Sequence, residues 1–187
     1  RSERTQAAVV DALLALVDED DLRPTAARIA LRAGVSLRTV FQHFQDMDVL
    51  FAIAAERQEQ RMAALLAPPP AEGELDARIE AFVAHRARLF EAITPVRRAA
   101  LLSEPFSEVV ASRLQATRVR AQREVERAFA PELGALATAE RRDVLAALTA
   151  ATAWPAWESL RAHQRLGVRQ ARAVMARTLR ALLKREG

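Results

Sequence analysis

The stretch IALRAGVSLRTVFQHF, residues 29–44, decides the fold. Two short helices that cross steeply need a small residue where they touch, a residue tolerant of positive φ at the turn, and apolar side chains beneath both. Ala30, Gly34 and Val40 meet those needs in order, and Ile29 and Val35 complete the inner layer. A helical wheel sets Val40 and Phe44 on one side of the second helix. Arg38 and Gln42 fall on the other, flanked by Thr39 and Phe41. Arg and Gln pair in bidentate fashion with guanine and adenine in the major groove, Thr bonds phosphate, and Phe packs on a thymine methyl. The pattern predicts a helix-turn-helix with a DNA-reading outer face. A bland alternative stands beside each residue: a solvated salt bridge for Arg38, a partly buried core position for His43.

Working outward, an apolar stripe of Val9, Val10, Leu13, Leu14, Leu16 and Val17 predicts a helix over about 5–17. The acidic run 18–21 loads its C-terminus unfavourably, and Pro24 enforces a break. Thr25 and Ser36 are good N-caps for the two motif helices, and Asp46 or Asp48 for a fourth, over about 46–66. From Leu22 to Gln45 there are four arginines (Arg23, Arg28, Arg32, Arg38) and no acid. Over residues 1–46, however, six Arg meet seven Asp or Glu, so attraction for DNA must be focused on the motif face.

The prolines of PPPAEG, 68–73, break the chain most strongly. Beyond it the spacing predicts helices over about 74–93, 95–103 and 105–130, the last two opened by Pro95 and Pro105. Pro131 and Gly134 close that region. One long helix over 138–164, interrupted at Trp154-Pro155-Ala156-Trp157, and a last helix over 168–185 with Val168, Met175, Leu179 and Leu182 on one stripe complete about nine helices. The expected fold class is all-α. Its two parts are a helix-turn-helix DNA-binding domain, 1–46, and a helical-bundle ligand-binding and dimerisation domain, 47–187.

Composition bounds the chemistry. With 51% apolar and 28% charged residues, and only 5 Gly and 8 Pro in 187, the chain can bury a substantial helical core. The net charge of +4 permits nucleic-acid contact without arguing for it. With no cysteine there is no disulfide, thiol nucleophile or Cys-based zinc site. No apolar run reaches the roughly 18–20 residues of a membrane span, and no signal-peptide pattern opens the sequence, so a cytoplasmic protein is expected. His43, His85 and His163 are too dispersed for a local metal motif, and neither a Gly-rich phosphate loop nor a G-x-S-x-G elbow occurs. No catalytic residue, metal or cofactor is expected.

Residues 25–50, TAARIALRAGVSLRTVFQHFQDMDVL, resemble the N-terminal DNA-binding domain of the TetR family of repressors. The matches are Thr25, Ile29-Ala30, Ala33-Gly34-Val35-Ser36, Thr39, His43-Phe44 and Leu50, and the order of parts also fits. The resemblance implies that Phe41, His43 and Thr39 contact the DNA backbone and that Leu37, Arg38 and Gln42 read bases. Thr25 and Ser36 complete the DNA-binding set. The chain departs from the family at Phe41, usually Tyr, at Met47, commonly Lys, and at Asp21, usually Gly.

In the family the last two long helices pack across a two-fold axis, which here implies a homodimer on a pseudo-palindromic operator. It also implies a repressor released by a small-molecule effector, with activators and ligandless regulators of the same fold as rivals. A helical enzyme or adaptor with a vestigial motif is a rival from another class. A mostly apolar pocket is expected between the helices starting near 74, 105 and 138, with Phe82, His85 and Trp154 as lining residues. For Trp154 pocket wall and core filler stand level. Trp157 reads as core or interface, and for His85 a satisfied or exposed histidine is the reading preferred to a polar group offered to a ligand.

Overall fold

The computed structural model describes residues 2–69 and 71–184. It contains eleven α-helices and, among the described residues, no strand. Two compact units are formed: Arg1–Leu66 with Ala92–Ala116, and Ala67–Glu91 with Thr117–Gly187.

The first unit is built on α1 (Ser2–Asp18), α2 (Ala26–Ala33), α3 (Leu37–His43), α4 (Met47–Arg61) and the short α5 (Ala63–Leu66). All six apolar residues of the α1 stripe are buried. They meet Ile29 and Ala30 of α2, Val40 and Phe44 around α3, and Leu50 and Ala54 of α4. The compact unit therefore continues past residue 46. The helix expected to reach Leu66 breaks at Met62, whose backbone (φ −104°, ψ 9°) ends α4 before α5 begins.

α6 (Leu75–Ser103) is one helix running through Pro95, where the sequence predicts two. Proline removes one helical hydrogen bond and crowds the carbonyl four residues back, here that of Glu91, at a cost of about 3 kcal/mol. Burial offsets that cost: Val96 and Ala99 pack against the core of the first unit, and Leu89 and Phe90 are buried in the second. Pro105 opens a 3-10 turn, Glu104–Phe106, and not the next helix. α7 (Glu108–Ala128) starts behind Ser107, whose Oγ accepts a hydrogen bond from the Val110 amide at 3.3 Å.

In the second unit, α8 (Ala130–Gly134) carries Pro131 in its first turn. The expected single helix over 138–164 is divided into α9 (Thr138–Ala151) and α10 (Trp154–Glu158), followed by a π turn, Ser159–His163. The break lies at Thr152-Ala153, because Pro155 occupies the first turn of α10 and makes no kink inside a longer helix. α11 (Val168–Leu183) buries Ala171, Met175, Ala176, Leu179 and Leu183. Val168 is exposed and Leu183, not Leu182, is buried, so the inward stripe is rotated from the expected one. The expected helix end at 185 and Pro70 of the proline break lie outside the described residues.

No helix among the described residues is long and apolar enough to cross a membrane.

Candidate functional site

Local chemistry builds the turn between α2 and α3. Thr25 takes an extended backbone and its Oγ1 accepts from the Arg28 amide at 3.3 Å, which starts α2. Gly34 ends it in the left-handed region, at φ 68° and ψ 32°. The Val35 amide donates to the Ala30 carbonyl at 3.0 Å and the Gly34 amide to that of Leu31 at 3.2 Å, the paired bonds of a Schellman motif. A Cβ on Gly34 would meet nothing within 4 Å, so the requirement is conformational and not steric. Gly34→Val should accordingly destabilise the first unit by about 1–3 kcal/mol, a strain read as a lowered urea midpoint. Wild-type stability in that variant would show that the turn relaxes at no cost.

Ser36 then caps α3: its Oγ accepts from the Thr39 amide at 3.0 Å and lies 2.7 Å from the Thr39 Oγ1. Asp46 Oδ1 accepts from the Val49 amide at 2.9 Å and caps α4, which settles the choice between Asp46 and Asp48. With both ends fixed, α3 buries Val40 and leaves Leu37, Arg38, Phe41 and Gln42 exposed. Thr39 and His43 are half-buried at its sides, the His43 ring tilted against Phe44 at 6.5 Å between centroids. Thr25 and Ser36 are exposed at the two helix starts. All eight residues expected to contact DNA thus lie on α3 or at the N-caps of α2 and α3.

Arg38 and Gln42 make no side-chain hydrogen bond or ion pair with any described residue. The salt-bridge alternative for Arg38 has no partner there. The other three arginines of the motif are engaged. Arg32 donates to both carboxylate oxygens of Glu19, at 2.9 and 2.5 Å, and Arg28 pairs with Asp21 at 2.9 Å. The Arg23 guanidinium lies 5.9 Å from the centre of the exposed Phe106 ring. The acidic run 18–21 therefore neutralises two of the cations that the sequence counts toward DNA. Opposite charges flanking a short loop were the available signal.

The three residues proposed for a ligand pocket all belong to the second unit, and all are buried: Phe82, His85 and Trp154. Phe82 packs edge-on against Phe129 at 5.4 Å between centroids. Arg86 rather than His85 lies between the rings of α6, its guanidinium 4.9 Å from the centre of Phe82 and 5.9 Å from that of Phe90. It pairs with Glu124 at 3.0 Å and donates to the Ala121 carbonyl at 3.2 Å. The spacing Phe82-Arg86-Phe90, four residues apart each time on one helix, was legible, and the sequence reading passed over it. Trp157 is buried against Phe90, and its Nε1 donates to Glu91 at 3.1 Å, which places it in the core.

His85 Nε2 is buried without a hydrogen-bond partner. Desolvation, with the charges of Arg86 and Arg88 adding to it, lowers its pKa from 6.5 to about 4. The unfolded chain then binds the proton first as pH falls, so stability should decline between about pH 6.5 and 4. His85→Gln should flatten that part of the profile in urea titrations. An unchanged profile would show that His85 does not carry it.

No group of three or more His, Asp or Glu among the described residues is placed to hold a metal ion.

These features define an all-α protein with an N-terminal helix-turn-helix that presents one polar-apolar face to solvent. Solved structures share its fold. A transcriptional regulator from Rhodococcus sp. superimposes with a TM-score of 0.70 at 19% identity, covering 98% of this chain and 96% of that one. A TetR-family transcriptional regulator from Streptomyces coelicolor does so with a TM-score of 0.72 at 17% identity, covering 96% and 80%. The chain has the fold of these regulators. No protein-family model matches the sequence, and no curated protein matches it.

Proposed function

We propose that this chain is a DNA-binding transcriptional regulator of the TetR family, a cytoplasmic homodimeric repressor released from a pseudo-palindromic operator by a small hydrophobic effector. The observation that carries this reading is the outer face of α3. Arg38 and Gln42 stand exposed without intramolecular partners among the described residues, beside the exposed pair Leu37 and Phe41, while Val40 and Phe44 on the opposite side are buried. A helix has little reason to expose two large apolar side chains beside an unpaired guanidinium unless that face meets a partner. The fold shared with known regulators supports the same reading.

In this reading Arg38, Gln42 and Leu37 read bases, and Thr39, Phe41, His43 and the capping residues Thr25 and Ser36 position the phosphate backbone. Residues 1–46 act as the reading head and 47–187 as the sensing and dimerising part. Two-fold symmetry supplies a second head, because one motif reads only a few base pairs. The effector shifts the population between two spacings of the heads.

Selection of bound duplexes from a random-sequence pool tests the proposal. A sequence with dyad symmetry should be enriched, and sedimentation should give a dimer with and without it. Failure to enrich any sequence would overturn the reading.

A further inference from the structure

The acidic run between α1 and α2 is held by its backbone. The Asp21 amide donates to the Leu16 carbonyl at 3.0 Å and the Asp20 amide to that of Val17 at 3.1 Å. Asp20 takes the left-handed conformation, φ 65°, at the end of α1. Asp is among the few side chains that tolerate this region. The turn fixes the neighbouring carboxylates: Glu19 accepts from both nitrogens of the Arg32 fork, and Asp21, its side chain only 16% exposed, forms an ion pair with Arg28 at 2.9 Å in which its Oδ2 accepts no hydrogen bond. The two arginines lie four residues apart on α2, off its buried Ile29–Ala30 side.

A guanidinium fork that fits a carboxylate in bidentate fashion fits a phosphate equally well. An arginine so held must leave its carboxylate before it can meet DNA. We propose that Glu19 and Asp21 are intramolecular competitors with DNA phosphate for Arg32 and Arg28, and that they keep sequence-independent binding weak. This inference rests on the reading of α2 and α3 as a DNA-contacting surface. Phosphate contacts supply essentially all binding to random DNA, so withholding two cations acts there most directly. Arg32 keeps the Glu19 carboxyl below the usual carboxylate range, so the competitor stays anionic. Of the four motif arginines, Arg38 and Arg23 have no described acid against them and are left to meet DNA without a prior exchange.

The test is binding of a short random-sequence duplex as a function of salt. The double variant Glu19→Gln/Asp21→Asn should bind about tenfold or more tighter at low salt. Its log–log salt slope should steepen by up to about two, since each phosphate newly neutralised contributes about 0.9. Thermal melts establish that every variant is folded. In an Arg32→Gln background, Glu19→Gln should gain less than about twofold, because the cation it would release is gone. Equal gains in both backgrounds would show that general repulsion by the acidic run is responsible and overturn the proposal. Wild-type binding with an unchanged double variant overturns this inference alone and leaves the DNA-binding reading standing. Absence of binding by wild type and every variant overturns both.

Discussion

Replacing Glu124 with Ala should destabilise the folded protein by about 3–5 kcal/mol, among the largest single-residue losses in the second unit. Its partner Arg86 is 3% exposed and its Nε makes no hydrogen bond. Desolvation is the dominant influence on the guanidinium and works to lower its pKa, yet an arginine cannot discharge near neutral pH. With Glu124 removed, the Ala121 carbonyl and the faces of Phe82 and Phe90 would be its remaining contacts. Aromatic faces compensate a desolvated cation by about 2 kcal/mol, which is less than the loss. The double variant Glu124→Leu/Arg86→Met should recover most of the stability, because it removes the buried charge together with its partner. Urea denaturation of the three proteins checks this. A loss below about 1 kcal/mol for Glu124→Ala would mean that the guanidinium reaches water.

The contrast with the first unit shows which features a sequence displays. The caps at Thr25 and Ser36 and the left-handed Gly34 depend on residues at most five apart and were legible, while the cap of α4 was narrowed only to Asp46 or Asp48. So was the α1 stripe, because a period of 3.6 is a local property. What escaped was tertiary. Pro95 has the local chemistry of a helix start, yet the helix continues through it because Leu89 and Phe90 are buried on one flank and Val96 and Ala99 are partly buried against a core on the other. The Thr152-Ala153 break lies ahead of Trp154, because Pro155 opens α10 from its first turn and does not interrupt a longer helix.

The same division runs through the candidate site. Which side of α3 faces outward followed from Val40 and Phe44, so the exposure of Arg38 and Gln42 was predictable. Which arginines are free was not, because the Glu19–Arg32 pair spans thirteen residues and depends on the path of the loop between them. For the proposed pocket, the sequence marked Phe82, His85 and Trp154 as large or titratable groups on apolar faces. The i, i+4 spacing of Phe82, Arg86 and Phe90 also pointed to Arg86 as the cation nearest the α6 rings, and that signal went unused.

The variant Arg38→Ala/Gln42→Ala should bind the selected operator about 2–5 kcal/mol more weakly, close to the level of random DNA. Each side chain is exposed, lies on the face opposite the buried Val40 and Phe44, and has no intramolecular bond to break before binding. A good bidentate base contact discriminates by about 1–3 kcal/mol, and two on one helix add if they read separate base pairs. Stability should hardly change, because the truncated atoms contact no part of the core and exposed helix positions prefer Ala. Affinity for random duplex should fall much less, since only the single charge of Arg38 is lost from the phosphate-attracting surface. The two affinities therefore separate base reading from charge. Specific affinity and random affinity falling by the same factor would make Arg38 a phosphate contact and Gln42 a bystander. The base-reading assignment would then pass to Leu37 and Phe41, the exposed apolar pair beside them.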